Sequence, residues 1–95
     1  MYVHKFAFRW KAGVTREQKT RVASEIKKLQ GQIPTLQQTY VGENDSPRGQ
    51  GFDLGGVMFF EDKAACEAYG AHPVHQKLLE WLMPLIDPIE VDFSV

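Results

Sequence analysis

Apolar and polar residues alternate from Tyr2 to Trp10. Tyr2, His4, Phe6, Phe8 and Trp10 fall on one side of an extended chain, and Val3, Lys5, Ala7 and Arg9 on the other. A period of two with this many aromatic residues predicts a strand. After Ala12-Gly13 the period changes. Val22, Ala23, Ile26 and Leu29 recur at helical spacing, Thr15 followed by Gln18 suits a capping box, and Gly31 and Pro34 prevent continuation. The apolar stripe is narrow and the rest is rich in Lys, Glu and Arg, so this helix is expected on a surface. Thr35 to Val41 alternates with polar character and suits an edge strand. Gly42 to Gly51 (GENDSPRGQG) reads as a loop. Phe52 to Phe60 becomes apolar on both sides, which predicts a central strand, with Gly55-Gly56 allowing close approach to its backbone. Asp62 can cap a short helix, Lys63 to Tyr69, that Gly70 ends. Pro73 can open another helix to about Met83, burying Val74, Leu78, Leu79, Trp81 and Leu82. Pro84 and Pro88 bracket its exit. Ile89, Val91, Phe93 and Val95 then alternate with Glu90, Asp92 and Ser94 in a final strand.

The order strand, helix, strand, strand, broken helix, strand is the split βαβ plan. It predicts an α+β, ferredoxin-like βαββαβ fold with an antiparallel sheet and helices on one face. In that topology the first and last strands are neighbours. Lys5 and Arg9 oppose the aromatic side of their strand, and Glu90 and Asp92 oppose the apolar side of theirs. These four charges are therefore expected to share the sheet face away from the helices.

Composition narrows the function classes. Ninety-five residues, 43% hydrophobic and 24% charged, suit one soluble globular domain spanning 1–95. Eleven Lys+Arg against twelve Asp+Glu give a net charge of −1, which excludes a strongly basic nucleic-acid arm. No apolar run is long enough to span a membrane. No signal-peptide pattern precedes the first strand, and Cys66 is the only cysteine, so a cytoplasmic, reducing setting is expected. So small a domain is marginal alone, which favours a homodimer.

The segment Tyr69-Gly-Ala-His72-Pro-Val-His75 is the most informative stretch for candidate chemistry. If Pro73 opens a helix, His75 falls in its first turn, where the positive end of the helix dipole disfavours an imidazolium. A neutral His75 can accept a proton. Tyr69, across the helix break, can supply a hydroxyl to a developing oxyanion. His4 shares its strand face with Phe6 and Phe8 and could reach the same pocket. His72, before proline, could also simply cap the helix, and Tyr69 and His4 could be plain core. His72-x-x-His75 lacks a third metal ligand at a suitable spacing, so no metal is expected. Cys66 has no neighbour to activate it and reads as packing. There is no phosphate-binding glycine pattern and no Ser-His-Asp signature.

The chain resembles the stress-responsive A/B barrel (Dabb) family of the dimeric α+β barrel group along essentially its whole length. The resemblance lies in Val3-His4-Lys5-Phe6, Trp10-Lys11-Ala-Gly-Val14, Ile33-Pro34, Gly42-Glu-Asn44, Gly51-Phe-Asp-Leu54, Phe60-Glu61-Asp62, Ala68-Tyr69, His72-Pro73-Val74-His75 and Val91-Asp92-Phe93. It implies a protomer that dimerises through its sheet and a pocket between sheet and helices; nothing in the sequence demands haem or flavin, so no cofactor is expected. Some members similar to this chain are polyketide cyclases, lyase-type enzymes that close a chain by intramolecular aldol or Claisen-type condensation. By resemblance, His75 is then the base and Tyr69 assists. His4, His72, Phe6, Phe8, Val22 and Ile26 would contact a small phenolic or polyketide-like ligand. One departure stands out: such members can carry a histidine on the third strand, where this chain has Phe52-Asp53-Leu54. Two other readings follow from the same resemblance. One is a non-catalytic stress-associated homodimer with a self-filled pocket, and the other is a cofactor-independent monooxygenase.

Overall fold

The computed structural model describes residues 1–95. Strands β1 (Tyr2–Trp10), β2 (Gln38–Glu43), β3 (Leu54–Phe60) and β4 (Ile86–Ser94) are joined by helices α1 (Arg16–Leu29), α2 (Lys63–Ala71) and α3 (Pro73–Leu82). A 3-10 turn, Met83–Leu85, links α3 to β4. The sheet is antiparallel throughout, in the order β2-β3-β1-β4. This is the ferredoxin-like α+β arrangement. No helix is long and apolar enough to cross a membrane.

Local chemistry sets the helix ends. Thr15 Oγ1 accepts from the Gln18 backbone N–H while the Gln18 side chain accepts from the Thr15 N–H, a reciprocal capping box. Asp62 caps α2 by accepting from the Ala65 N–H at 2.8 Å. Gly70 does not end α2. The helix runs one residue further, to Ala71, and it is Pro73 that stops it, because proline has no N–H to continue the ladder. The second strand is shifted to Gln38–Glu43 and the third begins only at Leu54. Asp53 turns away to hold the Trp10 N–H with its carboxylate. β2 is an edge strand and β3 is central.

The core lies between the sheet and α1, α2 and α3. Val22, Ile26 and Leu29 of α1 meet Phe6, Phe8, Leu54, Met58 and Phe60 of the sheet, with Leu78 and Leu82 of α3 closing one end. Each fully buried side chain of this size contributes roughly 1.5–3 kcal/mol. Phe6 lies flat over Gly56, its cross-strand partner, where any Cβ would collide with the ring.

The register of β4 overturns one expectation. His4 pairs with Asp92 and Phe6 with Glu90, and directly opposed residues of an antiparallel pair share a face. Glu90 and Asp92 therefore lie on the helix side, whereas Lys5, opposite Val91, lies on the other. The four charges do not share a face. The strand begins at Ile86, which is buried, and includes Pro88, so the parity that starts inward with Ile86 continues through Pro88, Glu90 and Asp92. The apolar set Ile89, Val91 and Phe93 points to the open face, 48%, 54% and 43% exposed. β4 is an edge strand, and the carboxylates on its inner side, Glu90 and Asp92, still reach solvent. Pro88 is tolerated there because only one side of an edge strand is paired.

Substituting Gly56→Ala is expected to cost about 1–3 kcal/mol through overpacking against Phe6. Urea denaturation would register this as a lower midpoint with an unchanged slope.

Candidate functional site

The break between α2 and α3 builds the site. In a continuous helix the Tyr69 and Gly70 carbonyls would accept from the N–H groups of residues 73 and 74. Pro73 has none, and the Tyr69 carbonyl accepts instead from the His72 N–H at 3.1 Å. The Val74 N–H is taken by His72 Nδ1 at 3.1 Å, so His72 is the N-cap of α3. The Gly70 carbonyl is thereby left without a backbone partner. It accepts from His75 Nδ1 at 2.9 Å and from the Gln76 amide at 2.6 Å.

This arrangement dictates the chemistry of His75. A carbonyl can only accept, so Nδ1 carries the hydrogen and, in the neutral ring, Nε2 carries the lone pair. Burial lowers the His75 pKa below its ordinary value, and nearby His4 adds to the effect. The Gly70 hydrogen bond and the Glu90 carboxylate pull the other way. The ring stands 4.5 Å from that of Tyr69, centroid to centroid. Burial pushes the Tyr69 pKa far up, so its hydroxyl stays protonated and able to donate. The only fully enclosed side-chain polar atoms without partners are Thr35 Oγ1 and Thr39 Oγ1, so the Tyr69 hydroxyl is not sealed into the core. His4, buried on β1, donates through Nδ1 to Asp92 Oδ1 at 2.6 Å, and its ring lies 6.1 Å from Tyr69.

A cavity of about 390 Å³ adjoins these groups between sheet and helices. His4, Phe6, Phe8 and Met58 form its floor, Ile26 and Leu29 one wall, and Leu78, Leu79 and Leu82 another. Tyr69 and His75 open onto it, and Met83, Pro88 and Glu90, all exposed, mark its mouth. Six of the eight residues expected at the site are thus brought together: His75, Tyr69, His4, Phe6, Phe8 and Ile26. Two are not. His72 is held away by its capping role, and Val22, fully buried, is spent on core packing rather than on the cavity. Glu90 and Asp92 were missed. Their alternation with apolar neighbours pointed them outward, and only the pairing with β1 reverses this. Cys66 is half-buried, and burial, with the carboxylates of Asp92, Glu90 and Glu67, pushes its thiol up to about 11, as suits a packing residue. No three His, Cys, Asp or Glu side chains converge as a metal site would require. A larger, shallower groove on the open face, beside Tyr40, Phe52 and Gly55, holds no imidazole.

Comparison with known proteins is consistent along the whole chain. A family model described as "Stress responsive A/B Barrel Domain" matches residues 3–95. A stress-response A/B barrel domain-containing protein of Arabidopsis thaliana is 37% identical over 62 residues, 64% of this chain and 24% of that protein, so the match spans about a quarter of its length. A dimeric ferredoxin-like protein from Thermobifida fusca superposes with a TM-score of 0.86 at 27% identity, covering 99% of this chain and 90% of the other. The hydroxynitrile lyase from Passiflora edulis superposes with a TM-score of 0.89 at 17% identity, covering 99% and 93%.

The depressed pKa of His75 means that the fold favours its neutral form. Above the unfolded value of about 6.5 the group leaves stability unchanged; as pH falls below it, the unfolded chain takes the proton first and stability declines. NMR titration is expected to show a His75 midpoint below 6.5 with the hydrogen on Nδ1. The urea midpoint of His75→Gln should fall less between about pH 6.5 and 5 than that of the parent.

Proposed function

This chain belongs to the stress-responsive A/B barrel domain family, and on that premise we propose that its cavity binds a small carbonyl compound on which His75 acts as general base. The observation that carries this reading is the hydrogen bond from His75 Nδ1 to the Gly70 carbonyl. It presets the tautomer whose free nitrogen, Nε2, can take a proton, without the charged partner that would make the ring a permanent cation. The open volume beside His75 and Tyr69 favours a ligand over a self-filled pocket.

The reaction class that suits these groups is a polyketide-cyclase-like intramolecular aldol addition, the ring-closing step of an aldol-type condensation. His75 Nε2 removes a proton from a carbon next to a carbonyl. The electron pair left on that carbon forms a bond to a second carbonyl carbon of the same molecule, and the π pair of that carbonyl moves onto its oxygen. The protonated Tyr69 hydroxyl donates to this oxygen as charge develops. The imidazolium then returns its proton to the alkoxide, so no atom is gained or lost. The apolar floor folds the ligand so that the two carbons meet. The Passiflora edulis enzyme is a lyase on this same fold, which is compatible with carbonyl chemistry in such a pocket.

We further propose a homodimer formed through the open sheet face. Ile89, Val91 and Phe93 are exposed there, on the same face as the edge-on pair Tyr40–Phe59, an apolar surface of the kind that marks an interface. The dimeric state of the Thermobifida fusca protein supports this.

Two outcomes are expected. His75→Ala should lower turnover of a β-keto substrate by about 100-fold or more and Tyr69→Phe by less, with both variants keeping the parent circular dichroism; undiminished turnover in His75→Ala would remove the base. Sedimentation equilibrium should show a dimer for the parent and a monomer for Val91→Asp, because a charge at the centre of an apolar interface is left unpaired.

A further inference from the structure

The chain has eleven Lys and Arg residues, yet none lines the cavity. Lys5 is turned to the opposite sheet face by its pairing with Val91, and the Arg21 guanidinium of α1 is laid over the ring of Trp81. The polar groups that do reach the cavity are His4, Tyr69, His75 and Glu90. His4 has its Nδ1–H committed to Asp92, and His75 its Nδ1–H to Gly70. Glu90 is in no ion pair: the salt bridges of the chain are His4–Asp92 and Lys28–Glu25. It stands exposed at the mouth with Met83 and Pro88, above a deep wall of leucine, phenylalanine and methionine. A ligand therefore passes an uncompensated carboxylate on entry and then meets a floor with no Lys or Arg. The floor's one ring able to carry charge, His4, is already matched by Asp92, so no free cation replaces the water the ligand has lost.

We infer that Glu90 is a specificity-determining residue and that the cavity takes uncharged carbonyl or phenolic compounds while rejecting carboxylates and phosphates. This rests on the reading of the cavity as a ligand site, but not on the base role of His75. An anionic ligand is opposed twice, by repulsion at the mouth and by desolvation inside. A neutral ligand meets neither obstacle, and a hydroxyl on it can donate to Glu90. Carboxylate rejection also suits the chemistry proposed above: a substrate presented as a free acid would be held back, so the reaction that supplies it must deliver a neutral ketone, phenol or ester. The selectivity comes from the inward parity of β4, which also placed Pro88 at the rim.

The test uses a matched pair of probes, methyl 4-acetylbenzoate and the 4-acetylbenzoate anion, at pH 7.5. Binding is followed by the NMR shifts of the Met58, Leu78 and Leu82 methyl groups. In the parent protein the ester should bind at least tenfold more tightly than the acid. Glu90→Gln should reduce the ratio to about threefold or less, mostly by improving the acid, and Glu90→Lys should bring the acid level with the ester or ahead of it. Glu90 is exposed on an edge strand, so both variants should keep the parent fold, checked by their circular dichroism. Equal affinities in the parent would overturn the inference. So would a ratio that Glu90→Gln leaves unchanged, because apolar desolvation alone would then account for it. Failure of both probes to move any of the three methyls would overturn the ligand-cavity reading itself, whereas loss of the base role would appear as unchanged turnover in His75→Ala with the probe ratio intact.

Discussion

The Gly70 carbonyl is the point on which the site depends. A partly buried carbonyl at the break between two helices needs a donor to replace the one the helix no longer supplies. Here the one donor that a continuous helix would supply, the Val74 N–H, is captured by His72, in the turn that Pro73 opens. The vacancy is filled from the first turn of the next helix by His75 and Gln76. A structural need of the backbone thus sets the orientation and tautomer of the His75 imidazole, which borders the cavity. The contact that helps to join α2 to α3 therefore also holds the His75 ring in place.

The second constraint is the parity of β4. Ile86 enters the core, and every second residue after it must follow to the same side. That places Asp92 against His4 and Glu90 at the cavity mouth, and it leaves Ile89, Val91 and Phe93 on the open face. An inward carboxylate next to a leucine wall would be costly in a closed core. It is tolerated because β4 is an edge strand and Glu90 stays in water. The same parity therefore produces an acidic rim on one face and an apolar surface on the other.

Much of the fold was legible because its signals are local. The caps at Thr15 and Asp62, the proline start of α3, and the aromatic alternation of β1 each depend on residues within a few positions of one another. The site was legible in part for the same reason. Tyr69 and His75 lie on either side of a break that Pro73 announces. His72 shows the limit of such reading: a histidine before proline suits both a cap and a ligand contact, and only the hydrogen bond to Val74 decides between them. Val22 shows it again, since helical spacing places a residue on the inner face without saying whether sheet or cavity lies beneath it.

Where each strand's two faces point is a different kind of question. Alternation in Ile89 to Ser94 is real, but it states only that the two sides differ. Which side is inward is settled by the register with β1, a contact across 88 residues of sequence. A solitary protomer would put its apolar side inward; a protomer with a second apolar face to cover need not. The elements, their order, their ends and the proximity of Tyr69 and His75 can all be read along the chain, because hydrogen-bond supply and side-chain periodicity are properties of neighbouring residues. Three features wait for the folded molecule: Glu90 and Asp92 face the helices, His72 and Val22 stay out of the cavity, and an open volume remains beside His75. They follow from strand pairing and packing between parts of the chain that no local pattern connects.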